Sequence, residues 1–290
     1  MIVVTGATGL LGGAVVERLL GKAPATEIGV SVRDPAKATA LADRGVRVRR
    51  GDYDDAASLA HAFEGAEQLL LVSAAATGEP ALRRHRTAID AARAAGVRRV
   101  VYTSHMGANP ASPFAPMPDH AATEAMLEES GLAFTALRNG FYASSGLMLL
   151  GRALETGEVA APADGPVSWT DHDDLAEAAA IVLTEGGVDG PTPPLTGTEA
   201  LDLADIATIA ADVTGRPIRR TVVPDAEYRA TLVGHGAPEP AADLLVDLFT
   251  TSRQGEFAAV DPALERLLGR PPRTIRDVVG RGAGAHDPSR

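Results

Sequence analysis

The sequence predicts an α/β fold, a doubly wound parallel sheet followed by a smaller, mostly helical C-terminal lobe. Three observations lead there. The first fourteen residues run from a β-branched stretch, Ile2 to Val4, through glycines at 6, 9 and 12 into an apolar helical pattern. Short apolar strands and helical stretches then alternate every ~20 to 30 residues, the mark of parallel strands with helical crossovers. Past Asn139 the alternation gives way to successive helices broken by Pro and Gly clusters. The first two features describe a Rossmann-type domain over residues 1–140. The third describes a lobe over 141–280, with some segments returning to the sheet. Residues 281–290, rich in Gly, Pro and charge, are expected to form a flexible tail.

A chain of 290 residues, 45% of them apolar, can bury the core such a fold needs. Aromatic residues make up only 4% and the formal charge is −11. That leaves neither stacking platforms for bases nor the basic face a phosphate backbone requires, so no nucleic-acid partner is expected. The absence of cysteine excludes disulfides, thiolate chemistry and cysteine-ligated metals, and fits a reducing compartment. With the first strand expected to begin at the first residue, no signal peptide is expected. The longest apolar run, Leu69 to Ala76, is too short for a bilayer span. A cytoplasmic protein without a membrane partner is expected; a homodimer is compatible with the sequence but not dictated by it.

In order, the first helix spans Leu10 to Gly21 and Ile28 to Val32 reads as a second, buried strand. Arg33 to Lys37 turns into a helix ending near Gly45, with Asp34 as an N-cap ahead of Pro35. Val46 to Arg50 alternates as a third strand, ended by Gly51, Asp52 and Tyr53, and a helix follows from Asp55 to Phe63. Leu69 to Val72 is a continuous apolar strand of the kind buried on both faces. A helix from Ala81 to Ala95, closed by Gly96, leads to strands at Val100 to Thr103 and Phe134 to Leu137. In the C-terminal part helices are expected at Ser144 to Thr156, Asp171 to Thr184, Leu203 to Val213, Ala226 to Gly234 and Pro240 to Phe249. Short apolar pieces lie at Pro194–Leu195 and Ile218 to Val223. This lobe is expected to cover the carboxyl ends of the strands, where open α/β sheets bind ligands.

Strand, glycine turn and helix in that order build a pyrophosphate site. Gly6 turns the chain off the strand, Gly9 lets backbone approach a phosphate, and Gly12 lets the helix pack close to the sheet. The helix's free N–H groups and positive dipole end face the anion. An NAD site carries an acid at the end of the second strand for the ribose 2′-hydroxyl; an NADP site carries a basic residue for the 2′-phosphate. Arg33 stands there, with Lys37, one of only two lysines in the chain, a helical turn on. The expected cofactor is therefore NADPH (NADP). Asp52 and Tyr53 have two readings, an adenine flank or a simple turn.

Dehydrogenases with such a turn and with Thr103-Ser104 ending the fifth strand normally carry a Tyr-x-x-x-Lys pair as their proton donor. Here Tyr53, Tyr102, Tyr142 and Tyr228 are followed four residues later by Ala57, Met106, Gly146 and Leu232. The pair is absent. In the equivalent stretch, after a Pro-rich loop (Pro110 to Pro118), stands Asp119-His-Ala-Ala-Thr-Glu124. His120 and Glu124 fall on one helix face. A neighbouring carboxylate would raise the imidazole's pKa and keep it a proton donor near neutrality; a surface or capping histidine is the alternative.

Five stretches, T-G-A-T-G-L-L-G (Thr5 to Gly12), V-R-D-P-A-K (Val32 to Lys37), A-A-G-V-R-R-V-V-Y-T-S (Ala94 to Ser104), H-A-A-T-E (His120 to Glu124) and L-R-N-G-F-Y (Leu137 to Tyr142), carry a resemblance. The chain resembles the NmrA-like family of atypical short-chain dehydrogenases, most nearly its bacterial NADPH:quinone oxidoreductase branch, over nearly its whole length. The resemblance implies NADPH without flavin or metal, and hydride transfer to quinones or similar conjugated acceptors. It implies that Gly6, Thr8, Gly9, Leu10 and Leu11 line the pyrophosphate and Arg33 the 2′-phosphate. Ser73, Ala74, Thr103 and Ser104 would line the nicotinamide side. Asn139, Gly140, Phe141 and Tyr142 would close over nicotinamide and substrate.

A quinone spreads an incoming negative charge over its ring and oxygens, so a strong protein acid matters less than for an isolated ketone. His120, Tyr142 or water would then protonate the phenolate. Two other readings stand: a reductase of another conjugated ketone, imine or dye in secondary metabolism or detoxification, and a non-catalytic NADP(H)-sensing regulator. His172, among Asp171, Asp173 and Asp174, reads as a helix opening favoured by the dipole rather than as a metal cluster. His61, His85, His105 and His235 have no partner pattern, although His105 lies close to strand five. Phe114 and Met117 either wall a pocket or pin their loop. Arg138 is either a ligand group or half of a structural ion pair.

Overall fold

The computed structural model describes residues 1–284. In chain order its strands are β1 (Ile2–Thr5), β2 (Ile28–Val32), β3 (Arg47–Arg50), β4 (Gln68–Leu71), β5 (Arg99–His105), β6 (Ala133–Asn139), β7 (Phe141–Tyr142), β8 (Glu158–Ala161), β9 (Trp169–Thr170), β10 (Gly190–Pro191) and β11 (Arg219–Val222). Its helices are α1 (Leu10–Leu20), α2 (Thr39–Asp43), α3 (Ala56–Phe63), α4 (Glu79–Ala94), α5 (Pro116–Ser130), α6 (Ala143–Leu149), α7 (Ala153–Thr156), α8 (His172–Glu185), α9 (Leu203–Thr214), α10 (Asp225–Gly234), α11 (Glu239–Arg253), α12 (Ala263–Leu268) and α13 (Ile275–Gly284). The chain divides into two units.

The first unit comprises residues 1–111, 115–139 and 172–193. Its sheet has seven strands in the order β10-β6-β5-β4-β1-β2-β3, every pairing parallel. From β1 the chain winds outward through β2 and β3; from β4 it winds the other way. The order reverses between β1 and β4, and there the carboxyl ends open a crevice. The central strands are apolar because both faces are covered: β2 is buried along its length and β4 at Leu69, Leu70 and Leu71. On one face Leu59 and Phe63 of α3, Ala88 and Ala92 of α4 and Leu127 of α5 pack on Val3, Leu69, Leu71, Val100 and Tyr102. Helix α1 packs against α8, whose run of small buried residues, Ala176, Ala178, Ala179 and Ala180, permits close approach.

The second unit comprises residues 112–114, 140–171 and 194 onward. It holds two short parallel pairs, β7 with β9 and β8 with β11. An aromatic cluster organises it: the Phe141 and Phe257 rings lie 4.6 Å apart by centroid, with Phe114 and Trp169 edge-on or tilted around them. Trp169 Nε1 donates to the Leu201 carbonyl at 2.9 Å. Gly146 lets α6 close on this indole, since a Cβ there would sit 3.1 Å from the ring.

Several elements differ from the sequence expectation. The helix expected over Ser144 to Thr156 is two, α6 and α7, with Gly151 at φ +54° between them. The seventh strand of the sheet, Gly190–Pro191, which pairs with Thr135 and Ala136 of β6, was not expected. Strand β8 and helices α12 and α13 have no counterpart in the expectation. Residues 281–284, expected in a tail, continue α13, and residues 285–290 lie outside the described part. Among the described residues no helix is long and apolar enough to cross a membrane.

Candidate functional site

Where β1 ends, Gly6 adopts φ +62°, a left-handed conformation that residues with a Cβ rarely take. The Gly9 N–H donates to the Gly6 carbonyl at 2.9 Å and closes the turn. A Cβ on Gly12 would overlap the Gly6 carbonyl oxygen and lie 2.7 Å from its carbon. The backbone leaving β1 occupies the space a side chain would need, so the missing Cβ is what lets α1 lie this close to the strand end. Gly9 caps α1 without a side-chain hydrogen bond, and no acid stands in the first turn. The opening N–H groups are thus left for an anion.

The turn borders an open cavity of about 410 Å³ at the carboxyl ends of β1, β2, β3 and β4. Gly6, Thr8, Gly9, Arg33, Asp52 and Tyr53 line it, as do Ser73 and Ala74. Arg33 is exposed and makes no hydrogen bond or ion pair among the described residues. Asp34 accepts from the Ala36 N–H as the N-cap of its turn. Lys37 is exposed on that turn and does not line the cavity. Asp52 shapes a turn by accepting from the Asp54 N–H. The Tyr53 hydroxyl lies 2.6 Å from Thr5 Oγ1 and 2.7 Å from the Val72 carbonyl. It ties the ends of β1 and β4 together, and burial holds the phenol well above its ordinary pKa. The adenine-flank and turn readings are therefore compatible for this pair.

Other expected residues stand elsewhere. Leu10 is exposed, Leu11 is buried in the core and Gly12 is buried, and none of the three lines the cavity. Thr103 and Ser104 are buried supports. Thr103 Oγ1 accepts from the Ser73 N–H at 2.8 Å. The Ser104 hydroxyl donates to Glu124 at 2.6 Å. Asn139 is buried, and its side-chain oxygen has no hydrogen-bond partner among the described residues, an acceptor that a folded protein seldom leaves unused. Gly140, Phe141 and Tyr142 belong to the second unit. Gly140 donates to the Leu195 carbonyl at 2.8 Å, Phe141 joins the aromatic cluster, and burial pushes the Tyr142 phenol up to about 12. Phe114 is pinned in that cluster, and Met117 is buried in the first unit.

The electrostatic expectation for His120 is overturned. Its Nδ1 lies 2.8 Å from the Tyr102 hydroxyl, while Glu124 forks with Arg138 at 2.7 and 3.0 Å. With the carboxylate committed elsewhere, burial prevails and pushes the imidazole down to about 4. His105, its ring centroid 5.9 Å from that of His120, is also held well below its ordinary value by burial. Arg138 is thus an ion-pair partner. His172, Asp173 and Asp174 open α8, and Asp171 pairs with Arg281 and Arg273. Among the described residues no group of three His, Cys, Asp or Glu could hold a metal. Sequence reasoning missed Thr5, Ser31, Asp54 and Arg84 as cavity residues. Arg84 reaches it from α4 by forking onto Asp54 at 2.8 and 3.0 Å, a pairing across 30 residues that no local motif signals.

A parallel sheet in this strand order, with an uncapped helix opening after β1 and an arginine after β2, defines a dinucleotide-binding Rossmann protein. The chain belongs to the NAD(P)H-binding family, whose sequence model matches residues 6–185. It is 39% identical to quinone oxidoreductase 2 of Escherichia coli, over 96% of this chain and 97% of that one. The crystal structure of the Escherichia coli NADPH-dependent quinone oxidoreductase complexed with NADPH superposes with a TM-score of 0.91, at 38% identity, covering 97% of this chain and 99% of the other. That of Citrobacter sp. triphenylmethane reductase complexed with NADP(H) gives 0.90 at 33% identity, covering 98% and 100%. An NmrA-like family domain-containing oxidoreductase of Aspergillus flavus is 32% identical over 95% of this chain and 92% of its own.

Proposed function

We propose that the protein is an NADPH-dependent oxidoreductase that reduces a quinone or similar conjugated acceptor. The observation that carries this is the cavity itself: an uncapped helix N-terminus behind a turn that admits no Cβ at Gly12, beside an exposed Arg33 that makes no ion pair among the described residues. The residues fit the coenzyme. First-turn N–H groups of α1 would hold the pyrophosphate and Arg33 the 2′-phosphate. Bound NADPH supplies the hydride.

No Tyr-x-x-x-Lys pair is present, burial holds the Tyr53, Tyr102 and Tyr142 phenols above their ordinary values, and His120 is a neutral imidazole. A neutral ring donates a hydrogen bond but is a poor source of a proton, so His120 steadies negative charge on an acceptor oxygen and water completes the protonation. Such a site suits acceptors that delocalise the charge themselves. The relatives described above, one a quinone reductase and one a triphenylmethane reductase, support this range. We assign the protein to the cytoplasm, where reduced coenzyme is regenerated.

The test is NADPH oxidation measured against simple quinones, a triphenylmethane dye and an isolated ketone. Quinones and dye are expected to turn over and the ketone not. Equal rates with the ketone, or no oxidation at all, would refute the reading. Arg33→Ala is expected to weaken NADPH by about ten- to a hundredfold, the loss of a charge-assisted contact, with little change for NADH. Calorimetric titration distinguishes the two coenzymes.

A further inference from the structure

We propose that His85 is a positioning residue for the coenzyme cavity: held in one tautomer by Thr123, it fixes the backbone of the β4–α4 loop that forms part of the cavity wall. The inference rests on the assignment of that cavity to NADPH. Residues 72–78 connect β4 to α4, and Val72, Ser73, Ala74 and Ala75 line the cavity. Three of them, Ala74 to Ala76, carry only a methyl group. So short a side chain cannot anchor a loop by packing, and the anchoring falls to backbone N–H groups.

Their acceptors are unusual for a loop, because they are mostly side chains. Ser73 N–H donates to Thr103 Oγ1 at 2.8 Å, Ala74 N–H to His85 Nε2 at 2.8 Å, and Gly78 N–H to Asp119 Oδ2 at 2.6 Å. His85 lies on α4 with 2% of its surface exposed. A backbone amide can only donate, so Nε2 must be bare, and the neutral ring carries its proton on Nδ1. From there it donates to Thr123 Oγ1 at 2.8 Å. The Thr123 hydroxyl donates in turn to the Asp119 carbonyl at 2.7 Å. Both ends of this chain are backbone groups with no choice of role, so every proton between them is placed.

One turn of α5, Asp119 to Thr123, therefore grips the loop twice. The Asp119 carboxylate holds Gly78, and Thr123 holds Ala74 through the imidazole. The Tyr102 ring stands edge-on to His85, with centroids 5.5 Å apart, and closes the remaining side. A histidine buried only for packing would need no acceptor at Nε2 and would show no preference between tautomers.

Three variants separate the possibilities. In His85→Gln the side-chain oxygen still reaches the Ala74 N–H, in His85→Asn the side chain is too short, and in His85→Leu it offers no acceptor. His85→Asn and His85→Leu are expected to raise the Kd and KM for NADPH roughly five- to twentyfold, with kcat changed far less, and His85→Gln to stay within about threefold of the parent. In the unsubstituted protein, long-range ¹H–¹⁵N correlation spectra should show His85 as the Nδ1–H tautomer, an observation that stands even if the leucine variant does not fold. An Nε2–H tautomer, or three variants that share one Kd while differing only in melting temperature, would overturn the proposal. If the unsubstituted protein binds no NADPH, the functional reading falls and this inference with it; if it binds normally and the asparagine variant binds equally well, only this inference falls.

Discussion

Glu124 decides the chemistry of its neighbours by which of them it serves. Sequence spacing offers it to His120, but it takes Arg138 and Ser104 instead. The imidazole is left to desolvation, which disfavours its charged form, and it is neutral throughout the working range. The rate with a quinone is therefore expected to show no ionisation of this group between about pH 5.5 and 8. His120→Gln, which keeps an N–H donor, should retain most of the turnover, whereas His120→Phe should lose about tenfold, the worth of one hydrogen bond in the transition state. An inflection near pH 6.5 that disappears in the phenylalanine variant would show that the ring titrates after all. Arg33 behaves differently because, among the described residues, no hydrogen bond or ion pair holds its guanidinium; Asp54 acts on it only through its charge and is itself forked by Arg84.

Among the elements, the glycine turn and the β5–β6 pair set the site's tolerances. Gly12→Ala forces a methyl group against the Gly6 carbonyl, and the turn must open to admit it. NADPH affinity is expected to drop at least tenfold, with about 1–3 kcal/mol of stability lost to overpacking. Calorimetry and denaturant titration measure the two separately; a variant with unchanged affinity would mean that the turn does not shape the site. In β5 and β6, Ser104 and Arg138 are register neighbours, so both point a donor at the same acid on α5. Glu124→Gln weakens that three-element clasp. Its expected cost is about 2–4 kcal/mol in a urea titration, below that of a wholly buried pair because Arg138 keeps 32% of its side-chain surface exposed.

For the molecule as a whole, the buried histidines predict an acid limit. His85 and His120 are pushed down to about 4 and His105 well below its ordinary value, each by burial. The unfolded chain takes up these protons near the ordinary value of 6.5, whereas the folded chain does not. Their contribution to stability is complete above about pH 6.5 and is lost as pH falls through about 4. Urea midpoints should decline across that window, and His85→Gln should flatten the decline; a midpoint that rises on acidification would contradict it. The strand rhythm, the glycine turn and the cation after β2 were legible from the residues because each acts within a few positions of itself: a β-branched run, a missing Cβ, a charge next to a strand end. Those features determined the sheet and the coenzyme class. Only the tertiary structure decided that α8 belongs to the sheet-bearing unit, that β8 pairs with the distant β11, and that Arg84 reaches the cavity through Asp54. It also decided that Glu124 abandons His120. The physical reason is the same in each case: a hydrogen bond or ion pair goes to whichever group the register and packing bring within about 3 Å, and chain spacing carries no record of that.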